Sequence, residues 1–278
     1  MHCGQPRDRS LLKPVSQSRR KMTMPIEILT IPCLNDNYAF LVHDTATGQT
    51  ALIDVPEAAP ILKVLAERTW QLSEVWITHH HADHVQGLGD ILSAHPAQVR
   101  GAARDAHRLP ALDVELRDGE SFDFAGHKVD VMDVSGHTVG HIAYYCADAK
   151  AVFTADSLMA LGCGRLFEGT ADQMWDSLSK LAALPSETQV YSGHEYTAAN
   201  ARFALTIDPH NPDLISRSEG ITAARAAAKP TVPSTLATEA ATNPFLRAAD
   251  PAIRAHLNMQ HASDSEVFAE IRARKDAF

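Results

Sequence analysis

The segment Thr78-His79-His80-His81-Ala82-Asp83-His84 constrains this chain more than any other. His79, His81, Asp83 and His84 fall within six residues, directly after Val75-Trp76-Ile77, a short apolar run that reads as a buried strand. Imidazole is the commonest metal ligand among side chains. In an extended chain, His79 and His81 share a face and Asp83 is next on it. If the backbone turns into a helix at Asp83, then Asp83 and His84 project to an adjacent point. Such a layout can feed two neighbouring metal positions, because borderline cations accept both imidazole nitrogen and carboxylate oxygen. His80 points the other way and is not expected to be a ligand.

Two metals need more donors than this loop holds. Three further segments each place one ligand-type side chain just past a strand-like run, where loops gather at one end of a sheet. They are Ser135-Gly136-His137-Thr138, Thr154-Ala155-Asp156-Ser157 and Ser192-Gly193-His194-Glu195. Together with the loop they make five histidines and two aspartates. Asp54, in the strand-like run Leu52-Ile53-Asp54-Val55, reads either as a carboxylate orienting a ligand imidazole from behind or as a turn-forming aspartate.

The rest of the chain frames this centre. Strand-like runs are Ile26 to Ile31, Tyr38 to His43, Ala51 to Val55, Lys128 to Val134, Ile142 to Cys146 and Ala151 to Thr154, with Val190-Tyr191 the last. Ala58 to Glu67 reads as a helix, and Thr170-x-x-Gln173 is a capping box opening another. Beyond residue 194 helical patterns dominate: Ala198 to Thr206, Asp213 to Ala228, Asp250 to Met259 and Asp264 to Arg274. The expected organisation is a metal-binding α/β domain over 24–194 and a helical domain over 195–278.

Residues 1–23 are basic and lack the apolar core of a secretory signal. They read as a disordered extension or an over-early start, with an organelle transit peptide as the alternative. The four cysteines form no C-x-x-C pair, so a cysteine zinc site is not expected and a reducing cytoplasm fits. A net charge of −9 and no basic, aromatic-interleaved stripe argue against a nucleic-acid partner. No apolar stretch is long enough for a bilayer-spanning helix.

T-H-x-H-x-D-H followed by separated His, Asp and His ligands resembles the metallo-β-lactamase fold superfamily. Within it the chain is similar to the hydroxyacylglutathione hydrolases, or glyoxalase II. The residues that carry this are Gly162-Cys163-Gly164-Arg165, Glu168 to Met174, Gly193-His194-Glu195-Tyr196-Thr197, Thr231 to Leu236, Asn243-Pro244-Phe245-Leu246-Arg247 and the ending Arg272 to Phe278. The resemblance implies an α/β fold, a four-layer αβ/βα sandwich with a C-terminal helical domain that completes the substrate site.

It also implies a ligand set. His79, His81 and His137 would hold one metal, Asp83, His84 and His194 the other, and Asp156 would bridge. The metals would be two divalent ions, zinc first, with iron or manganese as alternatives. Hydroxide shared by the metals and oriented by Asp83 would attack the thioester of S-D-lactoylglutathione, the second step of methylglyoxal detoxification. Arg165, Arg272 and Lys275 would meet the glutathione carboxylates, with Tyr196 as a hydrogen-bonding aromatic and Cys163 a packing residue. The enzyme is expected to act as a monomer. Two departures stand out: Phe167 stands where many relatives have tyrosine, and Arg165 where some have lysine, its planar fork suited to bidentate contact with a carboxylate. The competing readings are a mononuclear-iron glutathione persulfide dioxygenase of the same fold and a non-catalytic metal or redox module.

Overall fold

The computed structural model describes Met1, His2 and residues 26–278; apart from its first two residues, the basic segment 1–23 lies outside the described residues. β1 (Ile26–Cys33), β2 (Asn37–Asp44) and β3 (Gln49–Ile53) run as an antiparallel meander. α1 (Ala58–Arg68) carries the chain back to β4 (Gln71–Trp76), parallel to β3. α2 (Ala82–Val85) and α3 (Leu88–Ala94) lead to β5 (Gln98–Ala102), and β6 (Val114–Leu116) completes a six-stranded sheet in sequence order.

The second sheet starts with β7 (Ser121–Phe124), β8 (His127–Asp133), β9 (Ile142–Cys146) and β10 (Ala151–Ala155), all antiparallel. A small hairpin, β11 (Leu158–Met159) and β12 (Gly162–Cys163), precedes α4 (Ala171–Ala182). β13 (Gln189–Ser192) then lies parallel to β10. After α5 (Thr197–Ile207) and α6 (Pro212–Ala226), β14 (Ser234–Thr235) returns to pair with β13. α7 (Leu236–Thr242), α8 (Pro251–Leu257) and α9 (Asp264–Ala277) finish the chain.

The period-two alternation of strands builds the layers. Phe153 and Tyr191 face inward and meet Phe40 of the first sheet at centroid distances of 5.8 and 5.2 Å. Trp76 meets Phe124 and Tyr144 in the same inter-sheet core. Their neighbours Val152, Val190 and Ala143 face outward, into a second core with Met174, Leu178 and Leu181 of α4 and Phe268 and Ile271 of α9. Helices thus cover both sheets, which is the expected αβ/βα sandwich. Most of the helical C-terminal part shares this core with the second sheet, while α5 and α6 pack on each other around a small cluster of their own, Ala201, Ala204, Leu214 and Ile221 with Leu161.

The capping box at Thr170 and Gln173 forms as expected. Strands β5, β6 and β7 and helix α3 were not anticipated, and Val190-Tyr191 is not the last strand, since β14 follows it. α8 stops two residues before the expected Met259, because Asn258 takes the left-handed conformation that ends a helix.

One contact between the sheets is titratable. Buried His127 of β8 lies 3.0 Å from Asp44 at the end of β2 and 2.9 Å from Asp148 in the β9–β10 turn. Burial alone would depress this imidazole, but the hydrogen bonds to Asp148 and Asp44 outweigh it and raise its pKa. A raised folded pKa stabilises fully below the unfolded value of about 6.5 and is lost as pH climbs through the folded value. The thermal midpoint of wild type should therefore exceed that of His127→Gln most at pH 6, with the gap narrowing toward pH 9. A gap that widens with pH would contradict this.

Candidate metal centre

The four loops with candidate ligands, and the one that carries Asp54, leave C-terminal strand ends at one edge of the sandwich. Asp54 follows β3, the histidine loop follows β4, and His137, Asp156 and His194 follow β8, β10 and β13. The loop is irregular through His81 and then enters α2, so Asp83 and His84 leave a helical turn. His79, His81, His137 and Asp156 bring one ligand atom each within 4.8 Å of one another, and so do Asp83, His84 and His194. Asp156 Oδ2 lies between the two groups, 3.4 Å from His137 Nε2, 3.6 Å from His84 Nε2 and 3.3 Å from His194 Nε2.

These donors fit a pair of cations. His79 Nε2, His84 Nε2 and Asp156 Oδ1 are buried without a hydrogen-bond partner, which a folded chain tolerates at few places. A metal ion would satisfy them. Nitrogen and carboxylate oxygen with no thiolate is a donor set for borderline or harder divalent ions.

The opposite edges of the imidazoles are held from behind. Asp54 Oδ2 is 2.8 Å from His84 Nδ1 and accepts from Thr78 Oγ1, also at 2.8 Å; Thr78 Oγ1 is in turn 3.0 Å from His79 Nδ1. One carboxylate thereby orients a ligand in each group. His137 Nδ1 meets the Arg165 carbonyl at 2.8 Å, and His194 Nδ1 meets Asp36 at 3.0 Å. With Nδ1–H donated outward, Nε2 is left for a metal. His81 is the exception, turning Nδ1 toward His137 Nε2 at 3.0 Å. His80 faces away, its ring 2.9 Å from buried Asp105.

Charge in the cluster is divided unevenly. Burial drives His79 well below the ordinary imidazole value. Burial would do the same to His84, but Asp156 and Asp54 overcome it and hold it well above. Asp156, despite its burial, is kept well below the usual carboxylate range by His84 and His194.

Sequence reasoning missed three residues. His141 is buried, stacks on His79 at 4.6 Å and accepts from the Asp156 backbone N–H at 3.3 Å. Its Gly-His pair repeats the Gly136-His137 and Gly193-His194 pattern, a signal that was available. Asp36 and Asn37 sit in a segment legible only as a turn.

A cavity of about 450 Å³ opens from the two groups toward the helical C-terminus, lined among others by Phe167, Tyr196, Arg165, Arg272 and Lys275. Tyr196 stacks on the His194 ring at 4.6 Å, and Phe167 packs against His81 and His137. Lys275 is half-buried; burial, with Arg272, Arg202 and Arg165 nearby, pulls its pKa down to about 8. Arg272 is buried and partly engaged, donating to the Cys163 carbonyl at 2.9 Å and to Asp276 at 2.8 Å, while its Nε has no hydrogen-bond partner. Arg165 is largely exposed, its Nε 3.8 Å from Asp276. Cys163 is buried, which pushes its thiol up to about 11 and suits packing rather than nucleophilic chemistry.

Comparison with known proteins agrees with this architecture. Residues 35–194 match the metallo-beta-lactamase superfamily, and residues 195–278 match the hydroxyacylglutathione hydrolase C-terminus. A hydroxyacylglutathione hydrolase of Ruegeria pomeroyi is 62% identical over 255 residues, 92% of this chain and 100% of the relative. One from Cereibacter sphaeroides is 58% identical with the same coverage. The solved structure of ETHE1 from Myxococcus xanthus aligns with a TM-score of 0.61 at 26% identity, over 91% of this chain and 99% of that one. Among the described residues no helix is long and apolar enough to cross a membrane.

Proposed function

The chain belongs to the hydroxyacylglutathione hydrolases of the metallo-β-lactamase superfamily, and from that membership we infer the substrate and the work of each residue. It is a thioester hydrolase that converts S-D-lactoylglutathione and related 2-hydroxyacylglutathiones to glutathione and the 2-hydroxy acid, the second step of methylglyoxal detoxification. The observation that carries this reading is the cavity itself, with buried, unsatisfied donors at one end and Lys275 and Arg165 at the other.

His79, His81 and His137 would hold one ion, Asp83, His84 and His194 the second, with Asp156 shared. Zinc suits these donors best, and iron or manganese would be accepted by the same atoms. Bound there, two divalent ions supply a nucleophile at neutral pH by lowering the pKa of water from about 15.7 toward about 7, and they polarise the carbonyl. Asp83, half-exposed at the cavity, orients the attacking water. Lys275 and Arg165 bind the glutathione carboxylates, while Tyr196 lines the peptide path. Arg272 acts mainly by fixing the Cys163 carbonyl. Residues 24–194 then form the metal-binding unit and 195–278 the substrate wall. The active unit in this reading is a monomer.

The test is loss of thioester absorbance on S-D-lactoylglutathione by purified protein, alongside metal analysis and mass measurement in solution. No turnover with about two metals bound would sink the substrate assignment. One iron with oxygen uptake on glutathione persulfide would favour the dioxygenase instead.

Lys275 gives a sharper expectation. A charge-assisted contact is worth about 1.5–3 kcal/mol, so Lys275→Ala should raise KM about 10- to 100-fold with kcat nearly unchanged. Wild-type KM should also rise with pH through about 8, as Lys275 loses its charge, and Lys275→Ala should lose that rise. A variant with the wild-type KM profile would remove Lys275 from the site.

A further inference from the structure

The turn Leu34-Asn35-Asp36 and the first residue of β2, Asn37, touch the metal centre on one side only. Asp36 Oδ1 is 3.0 Å from His194 Nδ1. Asn37 Nδ2 donates to both the carbonyl and the Oδ2 of Asp83, at 3.1 and 3.0 Å. The backbone seals the same contact: Asn37 forms an antiparallel bridge with His194, Tyr38 N–H donates to the Gly193 carbonyl at 2.8 Å, and Glu195 N–H donates to the Asp36 carbonyl at 2.8 Å. Asn37 is buried, so its amide has no water to exchange for these partners. Among the described residues, no hydrogen bond from this turn reaches His79, His81 or His137. His79 leans instead on Thr78 and, through it, on Asp54, His137 leans on the Arg165 carbonyl, and His81 meets His137.

We propose that Asp36 and Asn37 are positioning residues for the second metal position alone, the one built from Asp83, His84 and His194. The proposal rests on the two-metal reading given above. Asp36 accepts the Nδ1 proton of His194, which fixes the tautomer and leaves Nε2 to bind the cation. The Asn37 amide holds the rotamer of Asp83 by gripping its backbone and its carboxylate at once. Asp54, by contrast, serves both positions, because its Oδ2 reaches His84 directly and His79 through the Thr78 hydroxyl. The β1–β2 turn can therefore weaken the second metal without the first. Outer partners of metal ligands typically contribute 10- to 100-fold in affinity.

The experiment uses full-length protein stripped with a chelator and titrated with Zn²⁺ against a chromophoric competitor. Wild type, Asp36→Ala, Asn37→Ala and the isosteric Asp36→Asn are compared, with the thermal midpoint of each metal-free protein measured alongside. Wild type should take two equivalents. In the alanine variants the first equivalent should bind within about twofold of wild type, and the second about 10- to 100-fold more weakly. Asp36→Asn keeps shape but loses charge and should fall between. An unchanged second equivalent would overturn the proposal. So would equal weakening of both equivalents, which would mean that the turn only supports the fold. If an alanine variant fails to fold, Asp36→Asn decides: a second equivalent bound as tightly as in wild type counts against the proposal. Wild type binding fewer than two equivalents would refute the two-metal reading itself, a result distinct from two equivalents bound identically by all variants.

Discussion

Asp156→Asn should lower kcat by about a thousandfold or more and should reduce the bound metal below two equivalents. The substitution keeps the shape of the side chain and removes its charge. That charge lies where both ligand groups meet, with three imidazole nitrogens within 3.3–3.6 Å of the single atom Oδ2. Removing one partner of a buried charge pair costs about 3–5 kcal/mol, and about 4 kcal/mol corresponds to a factor near a thousand in rate. The loss should appear in both metals, unlike the one-sided loss expected for the β1–β2 turn. Metal analysis of the purified variant, together with kcat on the thioester, checks this. A variant that keeps two metals and more than a tenth of the activity would refute the shared role.

Gly193→Ala should be nearly as damaging, although alanine neither binds metal nor removes a donor. A Cβ built at Gly193 would lie 2.7 Å from Asp156 Oδ1 and 2.8 Å from His84 Cε1. Both neighbours are buried, so neither can give way cheaply. Overpacking of this kind costs about 1–3 kcal/mol, and here it falls on two side chains that the proposed function places on the metals. Metal content should drop and activity should fall by at least about a hundredfold, since an error of about 1 Å in a catalytic group has that order of effect. Gly220→Ala in α6 is the control. Nothing lies within 4 Å of its Cβ position, so activity should hold, with about 0.5–1 kcal/mol gained in helix stability.

The centre was legible because its donors are concentrated and its strands are apolar. The histidine loop follows a buried run, and each remaining candidate ligand follows another such run, so the sequence alone implies the sheet edge that gathers them. His80 could be set aside from alternation alone, and it does face Asp105. What escaped was whatever depends on partners far away in the chain. β6 is three residues long with a central exposed Glu115, and β5 carries Arg100, which is neutralised only by Glu74 on β4. β7, Ser-Phe-Asp-Phe, alternates properly but is four residues long. Asp36 and Asn37 look like ordinary turn residues because their partners lie 158 and 46 positions along the chain. Arg272 is an intermediate case: it lines the cavity as its type suggested, but two of its nitrogens are held by Cys163 and Asp276, partners no local pattern announces.

The two-residue strand β14 has a consequence out of proportion to its length. The chain leaves the second sheet after Ser192, builds α5 and α6, and returns to the strand it left. That excursion is a loop tied at both ends to the same rod. It carries Tyr196, Ala199 and Asn200 on the side facing the cavity. A wall tied in this way cannot swing in and out like a flap on one hinge. The cost of ordering it falls on folding rather than on each turnover, and an arriving thioester meets a slot already cut to shape.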